Sequence, residues 1–219
     1  MTATMRMILA ATVAAPLALL AGCAALGMAG AVAESAHQAG STRYPAEYAG
    51  LAGVSYAVVV AADRTAQNEF PALTPSLMQR IDALIASSAG ASGHIPGDEV
   101  TRYLANHPQW TTWPRSELPK ALEVDRVVFV EVNEFRTNLP GNEYVWDGLA
   151  WASVSVIEAG GQADATHFRK DIRVKFPDQT NVTSANMDRT AVASVLVKRL
   201  TDRVSWLFFE HVEPNSIEY

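Results

Sequence analysis

One cysteine, Cys23, among 219 residues leaves no partner for an intramolecular disulfide and too few thiols for a cysteine-based zinc site. Charge is also sparse. Asp, Glu, Lys and Arg make up 18% of the chain, with a formal balance of −6. No run of Lys and Arg stands ready to displace counterions from a phosphate backbone, which argues against nucleic-acid binding. There is no Walker loop, no G-x-G-x-x-G, no H-E-x-x-H and no G-x-S-x-G elbow around Ser153 or Ser155. None of the five histidines, His37, His94, His107, His167 and His211, has a second His or Cys at helical spacing, so neither a metal nor a cofactor is expected. The glycines of "GASGHIPGD" (Gly90, Gly93, Gly97) read as a helix end followed by a turn, and Asp63 and Arg64 as polarity at a strand end. "NVT" at Asn181 has the form of a glycosylation acceptor and carries little weight.

What the chain does have is apolar bulk: 49% of its residues are hydrophobic, enough for the core of one domain. Its first segment carries the sharpest signal. Arg6 precedes "MILAATVAAPLALLAG" (residues 7–22), an uncharged run with the length of a signal-peptide core. The run closes in "LAGC", Leu20-Ala21-Gly22-Cys23, which resembles the lipobox of bacterial lipoproteins. The resemblance implies cleavage between Gly22 and Cys23, a thioether-linked lipid on the Cys23 sulfur, and a fatty acyl chain such as palmitate on the freed amine. Thiolate nucleophilicity suits the first step, and more than one acyl chain is needed for stable anchoring. Ala24, where an Asp would signal inner-membrane retention in enterobacteria, implies sorting to the outer membrane. Two other readings of this segment are a transmembrane helix over residues 7–33, diluted by Pro16, Gly22, Gly27 and Gly30, and ordinary secretion. Removing residues 1–22, whose only charged side chain is Arg6, takes the balance from −6 to −7.

Residues 23–53 form the lipidated cysteine and an Ala-, Gly- and Ser-rich flexible tether, with a reach of roughly 90–100 Å at ~3.3 Å per residue. Residues 54–219 read as one α+β domain. "VSYAVVVAAD" is a strand buried on both faces. Three helices follow: one begun by Thr74 as N-cap and Pro75, one in "PGDEVTRYLANHP", and one capped by Ser116. "DRVVFVEVNEF", "YVWDGLAWASVSVIEAG" and "HFRKDIRVKFP" are strands, the last two joined by the hairpin loop "EAGGQADAT". Gly148, Ala150 and Ala152 leave room on one face for a helix to approach, while Arg169, Asp171, Arg173 and Lys175 face outward. A long terminal helix from about Ala185 to His211 carries a stripe of Ala193, Leu196, Val197, Leu200, Val204, Leu207, Phe208 and His211. The expected fold is a four-stranded mixed sheet packed by helices, in the order β-α-α-α-β-β-β-α.

This order, with "ALEVDRVVFVEVNEF" as a helix running into a valine-rich strand, resembles periplasmic lipoproteins that activate penicillin-binding proteins, and the curli-secretion and TolB N-terminal domains. No binding or catalytic residue carries over. The reading is a lipid-anchored envelope protein at the periplasmic face of the outer membrane. It works through contact with an envelope protein, as assembly factor, scaffold or activator, without catalysis of its own, and an oligomer is compatible with it. The alternatives are a periplasmic ligand-binding or transport accessory lipoprotein, favoured by an apolar pocket under Trp110 and Trp113, and a hydrolase whose site forms only in the fold. Trp206 and Phe209, off the terminal stripe, and Trp110 and Trp113, in a Pro-flanked loop, are candidates for the partner surface.

Overall fold

The computed structural model describes residues 40–142, 144–160, 167–179 and 181–214. They form two compact units. In one, β1 (Ser41–Tyr44) pairs with β7 (His211–Pro214) as a two-stranded sheet. The other runs from Tyr44 to His211. Its elements are β2 (Ser55–Ala62), α1 (Arg64–Glu69), α2 (Leu73–Ser88), β3 (Gly93–His94), α3 (Gly97–Asn106), α4 (Glu117–Ala121), β4 (Arg126–Arg136), β5 (Gly148–Glu158), β6 (Phe168–Phe176) and α5 (Arg189–Ser205). The strand order is β3-β2-β4-β5-β6, with β2 parallel to β3 and β4, and β4, β5 and β6 antiparallel. The α+β class is as expected. The large sheet has five strands rather than four, because Gly93–His94 adds a two-residue edge too short to show a period.

The strand registers sort the side chains onto two faces. Val58, Val128, Val156 and Phe168 lie level on one face, and Val59, Phe129, Ser155 and Arg169 on the other. The first face holds α2 and α5, and on the second Val59, Val127, Phe129 and Ile157 are also buried. The small row Gly148, Ala150, Ala152 lets α5 come close: a Cβ on Gly148 would stand 2.5 Å from the Phe176 carbonyl oxygen and 2.8 Å from a Leu196 methyl. Val192, Leu196, Leu200 and Val204 of α5 are buried, as are Leu77, Ile81 and Ile85 of α2. A bulge between Val132 and Glu134 shifts the register, so that Phe135 turns to the helix face and meets the Phe70 ring edge-on at 4.8 Å.

Several local expectations change. The terminal helix is shorter than Ala185–His211. Asp188 caps it by accepting from the Ala191 N–H at 2.7 Å, and beyond Ser205 the chain tightens into a 3₁₀ turn that leaves Phe208 buried near the Tyr48 and Phe168 rings. His211 therefore lies past the helix, at the start of β7. α2 starts at Leu73, itself buried, so Thr74 sits inside the first turn instead of capping it, and Ser116 makes no capping bond. Asp63, read as strand-end polarity, caps the unforeseen α1 through the Ala66 N–H at 2.6 Å. Residues 44–53, assigned to the tether by composition, contain Leu51, fully buried, and Tyr48, whose ring lies 5.3 Å from that of Phe168. The hairpin loop between β5 and β6 lies in part outside the described residues.

Arg199 on α5 ties the helix to the end of β6. It is buried, donates to the Lys175 carbonyl at 2.6 Å, and forms a bidentate pair with Asp178, both contacts 2.6 Å. The guanidinium holds the Asp178 carboxyl below its ordinary range, against a smaller opposing effect of burial. The Ser55 hydroxyl and N–H lower Asp125 in the same way. A carboxyl depressed in the folded state stabilises the fold above its unfolded pKa and loses that contribution as pH falls through the folded value. The melting temperature is therefore expected to fall as pH drops from about 5 to about 3, and Asp178→Asn should flatten part of that decline. Parallel curves for the two proteins in calorimetry would refute this role of the pair.

Candidate functional site

On the side of the sheet opposite α5, polar groups cover β6 and the parts of β4 and β5 around Glu131, Asn133 and Ser153, beside the buried Val127, Phe129 and Ile157. Segment geometry explains its composition: on β6, positions 169, 171, 173 and 175 share the side away from α5, and all four are charged and exposed. Asp171 stands level with Ser153, which donates to its carboxylate at 2.7 Å and accepts from the Asn133 amide at 3.0 Å. Asn133 is available there because the bulge in β4 falls at that residue. Next to it, Arg115 donates to Glu131 at 2.8 Å and lies over the Phe129 ring at 4.4 Å, closing the β4 part of the face. On the β5–β6 part, the Arg173 guanidinium stands 5.4 Å from the centre of the half-buried Trp151 ring. Arg169 and Lys175 make no ion pair among the described residues.

The hydrogen bonds of this face do not set up Ser153 as a nucleophile. The Ser153 hydroxyl gives its proton to a carboxylate with no imidazole at the pair, whereas nucleophilic serine needs a base that in turn is oriented. Two histidines stand against carboxylates, neither of them at Ser153: His167 Nε2 lies 2.9 Å from Glu158, where β5 ends and β6 begins, and the second is more distant. His94 Nδ1 is 2.8 Å from Asp82, on strand β3, three strands from β5 and so roughly 14 Å away at ~4.8 Å per strand. Asp82 is buried in α2 and also accepts from the Tyr56 hydroxyl at 3.1 Å and the Gly97 N–H at 3.2 Å. Burial, reinforced by that carboxylate, keeps the Tyr56 phenol protonated far above its usual range. Pro96 offers no side-chain cap to α3, so Asp82 caps that helix from another element. Among the described residues no group of His, Cys, Asp and Glu is placed to hold a metal ion.

The residues singled out from sequence do not converge. Gly22 and Cys23 lie outside the described residues. Trp206 stacks on His211 with ring centres 4.6 Å apart, and Phe209 is half-buried against the core. Trp110 and Trp113 are also half-buried against the core, around the 3₁₀ turn Pro108–Thr112. A space of about 480 Å³ lies against Trp113, bordered by Glu117, Lys120 and Ala121, and an apolar groove of about 320 Å³ between the α1–α2 connection and α5 is lined by Phe70, Phe135, Ala193 and Val197. Sequence reasoning passed over Trp151 and Asn133. The alternation of β6 pointed to their face, but the bulge and the β5–β6 register that assemble it have no sequence signal.

No family model and no curated protein matches the chain. Solved structures similar to it include a PelC dodecamer from Paraburkholderia phytofirmans (12% identity, TM-score 0.44, covering 78% of this chain and 99% of that one). Lipoprotein GNA1162 from Neisseria meningitidis is similar at 12% identity and TM-score 0.43, over 70% of this chain and 98% of that one. A DUF330 protein from Xanthomonas campestris is similar at 11% identity and TM-score 0.47, over 75% of this chain and 85% of that one. At these scores the overlays add nothing to the strand order described above.

Proposed function

We propose that this chain is a lipid-anchored protein of the cell envelope, held through Cys23 at the periplasmic face of the outer membrane, that works by contact with another envelope protein and catalyses nothing itself. The observation that carries the reading is the apolar run closed by Leu20-Ala21-Gly22-Cys23. The polar sheet face supports the contact role, since its groups are arranged to recognise rather than to react. Cys23→Ser is expected to abolish incorporation of labelled fatty acid and leave uncleaved or unanchored chain, because a hydroxyl does not replace the thiolate in forming a thioether. Wild-type chain that takes up no labelled fatty acid would remove the anchor. Crosslinking in intact cells followed by mass spectrometry tests the contact role, for which a reproducible protein partner is expected.

A ligand-binding accessory role is the second reading, and the groove beside Phe70 and Phe135 is the observation that favours it. Arg80 and Glu69 at its rim would orient the polar end of a largely apolar molecule.

A further inference from the structure

We propose that the outer edge of β6 receives an extended acidic segment of the partner protein, added to the sheet as a sixth strand. The inference deepens the protein-contact reading and rests on it. β6 ends the sheet order, and among the described residues no strand pairs with its outer side. On its solvent face Arg169, Arg173 and Lys175 stand in line with no carboxylate partner among the described residues, in a chain whose overall balance is −6. Asp171, the one acid in the row, is held by Ser153. Lys170, the remaining cation of the strand, points to the helix face and pairs with Glu47 at 2.8 Å.

A charged edge is also how sheets resist aggregation, and that alone would account for scattered lysines. It does not account for the Trp151 indole held half-exposed beneath Arg173. Alternate residues on a strand repeat every ~6.6–6.8 Å, and an added strand presents its own alternate side chains at the same repeat, directly opposite. An acidic strand thus places carboxylates level with positions 169, 173 and 175, with a neutral residue opposite Asp171. Its main chain meanwhile pairs with the β6 edge. A line of cations one strand wide matches such a segment better than the two-dimensional array of headgroups on an anionic membrane.

The test uses the full chain in detergent micelles and a fluorescent extended peptide with Glu at those three alternate positions. Its isomer has the three Glu consecutive, and a third peptide has Lys in place of Glu. The alternating peptide is expected to bind about tenfold more tightly than either control and to slow amide exchange across residues 168–176. Arg173→Glu with Lys175→Glu should weaken it about tenfold and bring in the Lys peptide. Equal binding of the two Glu isomers overturns the proposal without needing any variant. So does Arg173-dependent binding to phosphatidylglycerol vesicles with no effect of the peptide, or self-association in sedimentation that Arg173→Glu abolishes. In cells, a partner crosslinked as well by the charge-reversed chain as by wild type removes β6 but leaves the contact reading. Absence of any partner with wild type removes the contact reading itself.

Discussion

Leu196→Ala is expected to destabilise the fold by about 2–5 kcal/mol, toward the upper end of that range. Leu196 is fully buried, and its methyl lies where a Cβ on Gly148 would stand 2.8 Å away. The floor beneath it, Gly148, Ala150 and Ala152, is made of small residues on a strand hydrogen-bonded on both sides. Neither a longer side chain nor the backbone can move in to fill the cavity, and incomplete collapse is what makes such truncations costly. Val197→Ala, at the half-buried groove edge, should cost less. The mirror-image change, Gly148→Ala, should cost about 1–3 kcal/mol by overpacking. Leu196→Ala should not rescue it, because the Phe176 carbonyl oxygen, at 2.5 Å, belongs to the backbone and stays in place. Urea titrations of the single and double variants measure both effects. A Leu196→Ala cost below about 1 kcal/mol would mean that α5 is not docked on the small row.

Asp82→Ala should cost about 2–4 kcal/mol, through loss of one buried acceptor that serves several donors. Tyr56 keeps a second bond, to the Asp82 carbonyl at 3.2 Å, whereas the Gly97 N–H and His94 Nδ1 lose their recorded partner. The damage should be local as well as global. With Pro96 in the capping position, the first turn of α3 has no other cap, so amide exchange at residues 97–100 is expected to accelerate more than exchange in β4 or β5. Asp82→Asn, which keeps one acceptor oxygen, should fall between. Stability within 0.5 kcal/mol of wild type in Asp82→Ala would show that the carboxylate does not hold these elements together. Gly97 belongs to the same joint: a Cβ there would meet the Gln79 backbone at 2.8 Å, so Gly97→Ala should separate α2 from α3.

Much of this architecture is written locally. The valine runs of β2 and β4, the alternation of β6, the stripe of α5 and the small row of β5 each encode an element and the face it buries. They do so because side chains repeat every two residues on a strand and every 3.6 on a helix. The same periodicity put Arg169, Asp171, Arg173 and Lys175 on one outward face, as the structure has them. The string Leu20-Ala21-Gly22-Cys23, on which the proposed anchor rests, is likewise contiguous. Other features belong to the tertiary structure alone, because they join residues far apart in the chain. The parallel pairing of β2 with β4 brings Tyr56 level with Arg126, and the cap of α3 comes from Asp82, 15 positions before Gly97. The bulge beside Asn133 delivers an amide to Ser153, 20 positions away, and the turn after Ser205 buries Phe208 where a longer helix was expected. A period states which way a side chain points relative to its own backbone. What it points at depends on register and on close approach between elements, and these are settled only when the whole core packs.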